Sequence, residues 1–113
     1  MSYDVHIGSF EGNYTYNVSA LFYDHIPAER SRGGLNELDG LTGRQAVTVL
    51  SEAFSRIHAT KLSTWKTEAV GEPEFCAKYD PPSGWGSTVG ALIFLAQILA
   101  ACAENPRCKV RVS

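Results

Sequence analysis

The sequence predicts an α+β fold: a small two- or three-stranded sheet from the chain termini, packed against two main helices at about 43–59 and 87–104, with short helical pieces between. Three observations carry this. Both ends alternate apolar and polar residues, Tyr3-Asp4-Val5-His6-Ile7 and Cys108-Lys109-Val110-Arg111-Val112, and a period of two marks half-buried strands. Ala46, Val47, Leu50, Ala53, Phe54 and Ile57 recur at helical spacing. From Pro81 to Ala103 no residue is charged, and Val89, Leu92, Ile93, Phe94, Leu95, Ile98 and Leu99 crowd the second half of that run.

Taken in order, the first strand covers Tyr3–Ile7 and a turn lies between Gly8 and Gly12. Asn13-Tyr14-Thr15-Tyr16-Asn17-Val18 follows, and Tyr14–Val18 is the candidate third strand. Ser19 is placed to cap a short helix, Ala20–Ile26, which Pro27 ends. Ala28–Gly40 is polar and glycine-rich and reads as a mobile loop. Thr42-Gly43-Arg44-Gln45 has capping-box spacing, so a helix starts there and runs to about Ala59. Leu62 and Trp65 are expected to tuck onto the core, and Pro73 to open a helical piece through Tyr79. Ser87 is a good N-cap and Asn105-Pro106 a good stop for the last helix. That helix is near the length of a membrane span, but Ser87, Thr88, Gly90 and Gln97 argue for burial on nearly all sides.

A chain of 113 residues with 44% hydrophobic content is read as a single globular domain, 1–113. A net charge of −2 speaks against a nucleic-acid polymer as partner. Cys76, Cys102 and Cys108 form no CxxC pair and Met1-Ser2-Tyr3 opens no apolar leader, so a reduced, cytoplasmic protein is expected.

Two stretches stand out as candidate chemistry. In Gly84-Trp85-Gly86-Ser87 an indole between glycines can stack on a planar group, and free N–H groups at a helix start can receive an anion. The competing reading is a tight turn whose tryptophan packs on the core. Asn13, Tyr14, Thr15, Tyr16 and Asn17 can read the edge and face of a ring, or can simply cap a turn. His6, His25 and His58 lack metal-ligand spacing, and nucleophile, Walker-type and dinucleotide motifs are absent from the sequence. No catalytic residue, metal ligand or cofactor is therefore assigned.

Met1-Ser2-Tyr3-Asp4, the run Gly12 to Ser19, Pro81-Pro82-Ser83-Gly84-Trp85-Gly86 with Gly90-Ala91-Leu92 and Leu95, and the closing Val110-Arg111-Val112-Ser113 together resemble a family of small, functionally uncharacterised proteins of actinobacteria and their phages. The likeness touches both ends and the middle but not Ala28–Asp39 or Lys61–Glu72. It implies a phage or prophage origin and a place in the host cell, and supplies no catalytic residues.

The expectation is a non-enzymatic, phage-type intracellular binding protein that counters host defence. In one version it sequesters a small polar, nucleotide-like ligand through Asn13, Tyr14, Tyr16, Asn17, Trp85 and Ser87, with Arg44 or a loop arginine (Arg30, Arg32) supplying charge. In the other it docks on a host protein through the Tyr14–Phe22 surface. The alternatives are a small hydrolase of a phosphorylated metabolite using His6 and Asp4, and a homo-oligomer subunit that uses apolar surface on the short helix. No membrane partner is expected.

Overall fold

A two-residue turn starts the sheet. Gly8 takes a φ of 57° between Ile7 and Phe10, which pair as antiparallel neighbours. Glycine at the first of two turn positions is what a type II′ hairpin requires. In the computed structural model, which describes residues 2–64 and 71–113, this turn joins β1 (Ser2–Ile7) to β2 (Phe10–Thr15). β3 (Arg111–Val112) pairs antiparallel with the other edge of β1, so the strand order is β2-β1-β3. Tyr16–Val18 forms a 3₁₀ turn into α1 (Ser19–His25), followed by α2 (Gly43–Thr64), α3 (Gly71–Tyr79) and α4 (Thr88–Glu104). Among the described residues the architecture is α+β, a three-stranded antiparallel sheet with four helices.

The pleat sorts the side chains. Tyr3, Val5 and Ile7 are buried on the face that meets the helices, and their cross-strand partners Tyr14, Gly12 and Phe10 share that face. His6 pairs instead with Glu11, ring nitrogen to carboxylate at 3.4 Å on the open face. α4 lies beneath β2 and β1: the Tyr14 and Phe94 rings stack with centroids 5.7 Å apart, and a Cβ at Gly12 would press on Phe94. α2 packs beside α4. A Cβ at Gly43 would overlap the carbonyls of Cys102 and Asn105, so only glycine lets the start of α2 cross the end of α4 this closely.

The turn expected between Gly8 and Gly12 is shorter than that, and Gly12 lies inside β2. The third strand is Phe10–Thr15, not Tyr14–Val18, because the hairpin turn pairs Phe10 with Ile7 and brings Phe10 under the ladder. The terminal run splits. Lys109 bridges Thr42, Val110 donates to Leu41 and accepts from Gly40, and only Arg111–Val112 reaches β1. The predicted capping box is reciprocal, with Thr42 Oγ1 accepting from the Gln45 N–H at 3.3 Å and Gln45 Oε1 accepting from the Thr42 N–H at 3.0 Å. α2 then runs to Thr64 rather than Ala59. Ser19 does not cap α1; it is the first helical residue, and its hydroxyl donates to the Tyr16 carbonyl at 2.6 Å and joins Tyr3 Oη at 2.7 Å. Trp65 and the side chain of Leu62 lie outside the described residues.

Two larger corrections follow. α4 is not buried all round. Ala91, Phe94, Leu95, Ile98, Ala101 and Cys102 are buried, but Val89 and Ile93 are 54% and 55% exposed. The sheet, α2 and the short α3 cover only part of the α4 surface. Among the described residues no helix is long and apolar enough to cross a membrane.

The Ala28–Gly40 segment, read as mobile, is anchored. Leu35 and Leu38 are fully buried, and Gly34–Leu38 forms a 3₁₀ helix. Glu37 is buried beneath it and accepts from the N–H groups of Glu29, Arg30 and Gly33 at 2.7–3.0 Å. Arg30 donates to the Glu37 and Asp39 carbonyls, both at 3.1 Å. It is a staple of this segment and not a phosphate clamp. Polarity and glycine content suggested freedom, while one internal carboxylate gathers three backbone N–H groups of the segment.

Burial by itself would raise the Glu37 pKa, but the N–H groups of Arg30, Glu29, Gly33 and Ser31 outweigh it and hold the carboxyl below its ordinary range. A depressed folded-state pKa stabilises the fold fully above the unfolded value, about 4.3, and that stabilisation is lost as pH falls through the folded pKa. Glu37→Gln is expected to lower stability at neutral pH by about 1–3 kcal/mol, since its amide cannot accept all three N–H groups as well as a carboxylate does. It should also flatten the acid limb of the stability profile. Urea midpoints of both proteins across the acidic range check this; parallel profiles would contradict it.

Candidate functional site

The segment from Asp80 to Ser87 is shaped by its own short-range bonds. Gly84 donates to the Pro81 carbonyl at 3.1 Å, closing a turn. The Ser83 hydroxyl accepts from the Trp85 N–H at 3.3 Å. Gly86, at φ 89°, backs onto the end of β2, where a Cβ would press on Thr15. Asn17 Nδ2 donates to the Trp85 carbonyl at 3.3 Å. Both backbone polar groups of Trp85 are thus held by neighbouring side chains, and its indole stands out at 72% exposure. The turn is as tight as the sequence suggested, but the tryptophan does not pack down onto the core.

β2 reaches the same place from the other side. The Tyr14 hydroxyl accepts from the Ser87 N–H at 3.0 Å and donates to the Ser87 carbonyl at 3.4 Å. It occupies the space that a side chain at position 90 would fill, since a Cβ there would overlap it. Asn13, Tyr14, Thr15, Trp85, Gly86 and Ser2 together line an open groove of about 610 Å³.

Of the seven ligand-contact residues expected from sequence, Asn13, Tyr14 and Trp85 line this groove, and Asn17 binds the Trp85 backbone at its rim. Tyr16 turns away and packs on Tyr3, with ring centroids 4.4 Å apart. Ser87 is the N-cap of α4, its hydroxyl accepting from the Gly90 N–H at 2.9 Å. Arg44 does not join the group. It sits at the start of α2, its N–H donating to the Pro106 carbonyl, next to the carboxyl end of α4. The groove is at the amino end, and the 17 residues of α4 put about 25 Å between them. Ser2 was not singled out from sequence, and Thr15 and Gly86, though inside the two candidate stretches, were not among the seven. Thr15 and Ser2 are cross-strand partners, so the β1–β2 register alone would have found them.

Three of the four N–H groups at the helix start, those of Ser87, Thr88 and Gly90, are taken inside the protein. Ser87 donates to Tyr14, Thr88 to Asp80 Oδ1 at 2.7 Å, Gly90 to Ser87 Oγ and Ala91 to the Ser87 carbonyl. The Thr88 N–H and hydroxyl hold the Asp80 carboxyl below its ordinary range, so an acid already occupies the positive end of the α4 dipole. Among the described residues, no cationic side chain lines the groove. The site offers two ring faces, an amide and two hydroxyls, which is chemistry for an uncharged planar polar group.

The remaining sequence candidates lie elsewhere. Asp4 and His6 flank Glu11 and Asn13 around a shallow space of about 230 Å³ on the open sheet face. His25 is buried, bonded to the Leu21 carbonyl at 2.7 Å and Thr60 Oγ1 at 3.0 Å. In the Tyr14–Phe22 stretch Val18, Leu21 and Phe22 are fully buried, while Asn17 and Ala20 are exposed. Among the described residues no disulfide joins the cysteines, and burial pushes the Cys102 thiol up to about 11. Among the described residues, no cluster of three His, Cys, Asp or Glu could hold a metal ion.

Removing the Tyr14 hydroxyl leaves the Ser87 N–H without its acceptor. Tyr14→Phe should therefore cost about 1–2 kcal/mol in chemical denaturation. Gly90→Ala should cost more, about 1–3 kcal/mol, because the hydroxyl and the turn behind it must move. Equal stability of Gly90→Ala and wild type would show that Tyr14 does not occupy that space. No family model matches the chain, and neither a curated protein nor a solved structure matches it.

Proposed function

We propose that this chain is a non-enzymatic binding protein that holds a small planar polar ligand, uncharged where it meets the protein, against Trp85. The observation that supports it is the indole itself, 72% exposed over a groove it shares with Asn13, Tyr14 and Thr15. An aromatic ring presented to water by bonds to its own backbone is poised to stack. The amide of Asn13 and the hydroxyls of Thr15 and Ser2 can read the edge of a ring stacked there. This narrows the nucleotide-like ligand expected from sequence to its base or nucleoside part, since none of the described residues lining the groove offers a phosphate a cationic side chain. With the resemblance in its sequence, the proposal extends to a phage-type role in a host cell, removing such a molecule from host physiology or defence.

Calorimetric titration with nucleosides and the matching nucleotides tests it. Both should bind with affinities within a few-fold of each other. Trp85→Ala should abolish binding while changing stability by no more than about 0.5 kcal/mol, as for an exposed side chain. The absence of heat and of any melting-temperature shift with all bases, nucleosides and nucleotides would dismiss the reading.

A further inference from the structure

Among the described residues the outer edge of β2 is uncovered. In the β1–β2 ladder the hairpin turn makes Ile7–Phe10 a bonded pair, so Val5–Gly12 and Tyr3–Tyr14 are bonded pairs as well. The Asp4–Ser113 pair, which exchanges both bonds at 2.9 Å on the β3 side, confirms this phase. Glu11, Asn13 and Thr15 therefore aim their N–H and C=O groups away from β1, along the outer edge of β2. That edge carries no proline, lysine or bulge to blunt it.

The outer face of α4 points the same way. α4 lies under β2 and β1, while α2 enters from the β3 side through the Thr42–Lys109 bridge. The face of α4 away from α2 carries Val89, Ile93, Ala96 and Ala100, all exposed and spaced along one stripe. Trp85 extends the stripe at its amino end.

We propose that a second copy of this chain covers both features, pairing β2 antiparallel to β2 with Asn13 on the two-fold axis. This register sets Glu11 against Thr15 of the second copy, so no like charges meet. It also sets Gly12 against Tyr14 of the second copy on the helix side, where the missing side chain leaves room for the ring. The two sheets become one of six strands. Each α4 lies about one strand spacing from the axis, which brings the two α4 axes about 10 Å apart, the distance of packed helices. Covering Trp85, Val89 and Ile93 supplies roughly a third to a half of the ~800 Å² per partner that a standard interface takes. The strand edge with Ala96 and Ala100 supplies the remainder. The short helix α1 is not the oligomer surface, since Leu21 and Phe22 are buried in it. The assembly and the proposed ligand share Asn13, Thr15 and Trp85 and so compete for that part of the surface, while the stripe residues Val89 and Ile93 do not line the groove.

Light scattering after size exclusion tests the assembly on the whole chain. The expected mass is twice 12.3 kDa. Asn13→Pro removes an N–H that points to the outer edge and leaves the β1 ladder intact, and Ile93→Lys puts a charge in the middle of an exposed stripe. Both variants should run at the monomer mass with the circular dichroism of the wild type. A wild-type monomer at high concentration overturns the proposal, and so does a folded Ile93→Lys variant that stays dimeric. No nucleoside binding to the monomeric Ile93→Lys variant, in which Trp85 is uncovered, would count against the ligand reading alone.

Discussion

The seating of one phenol organises this molecule. Tyr14 stacks on Phe94 and places its hydroxyl where Gly90 has no side chain, so β2 lies directly on the first turn of α4. The hydroxyl acts as a cap, accepting from Ser87 on an N–H that the helix cannot use itself. One contact thus fixes the height of the sheet above the helix. It also fixes the direction in which the Asp80–Ser87 turn leaves the body, and with it the position of Trp85.

That constraint has a chemical consequence. A helix start is ordinarily a place for anions, but here the N–H groups of Ser87, Thr88 and Gly90 are used internally by Tyr14, Asp80 and Ser87. What remains at the surface is neutral: an indole, an amide and hydroxyls. Glu37 follows the same logic at the other side of the fold, where a buried carboxylate takes up the loose N–H groups of a loop. In both places an acid is spent on backbone order, and neither is left to serve a ligand. The molecule's recognisable polar motifs are mostly capping devices, and the exposed chemistry is aromatic and apolar.

The apolar excess of α4 fits this picture. The sheet and α2 bury one side of the helix, and the uncharged run continues onto a side they do not reach. Small domains cannot cover every face of a long helix with the layers available to them. An apolar stripe beside an open strand edge is the surface such a domain has left for another chain.

Local patterns in the sequence determined the elements. The period-two ends, the helical spacing of Ala46 to Ile57, the Thr42–Gln45 box, Ser87 as N-cap and the stop at Asn105-Pro106 depend on residues within a few positions of one another, and short-range sterics and hydrogen bonds suffice for these. The pairing of an early aromatic run with the Trp85 turn was legible as composition, through the scarcity of other places to put tyrosines, amides and a glycine-flanked indole. Tertiary structure alone decided the rest. Arg44 is separated from the groove by the length of α4, because helix direction sets which end of a chain meets which. The Ala28–Gly40 loop is ordered by a Glu37 carboxylate whose burial no local pattern signals. Ser2 and Thr15 become neighbours only through strand register, and Val89 and Ile93 face outward only because of where α2 lies.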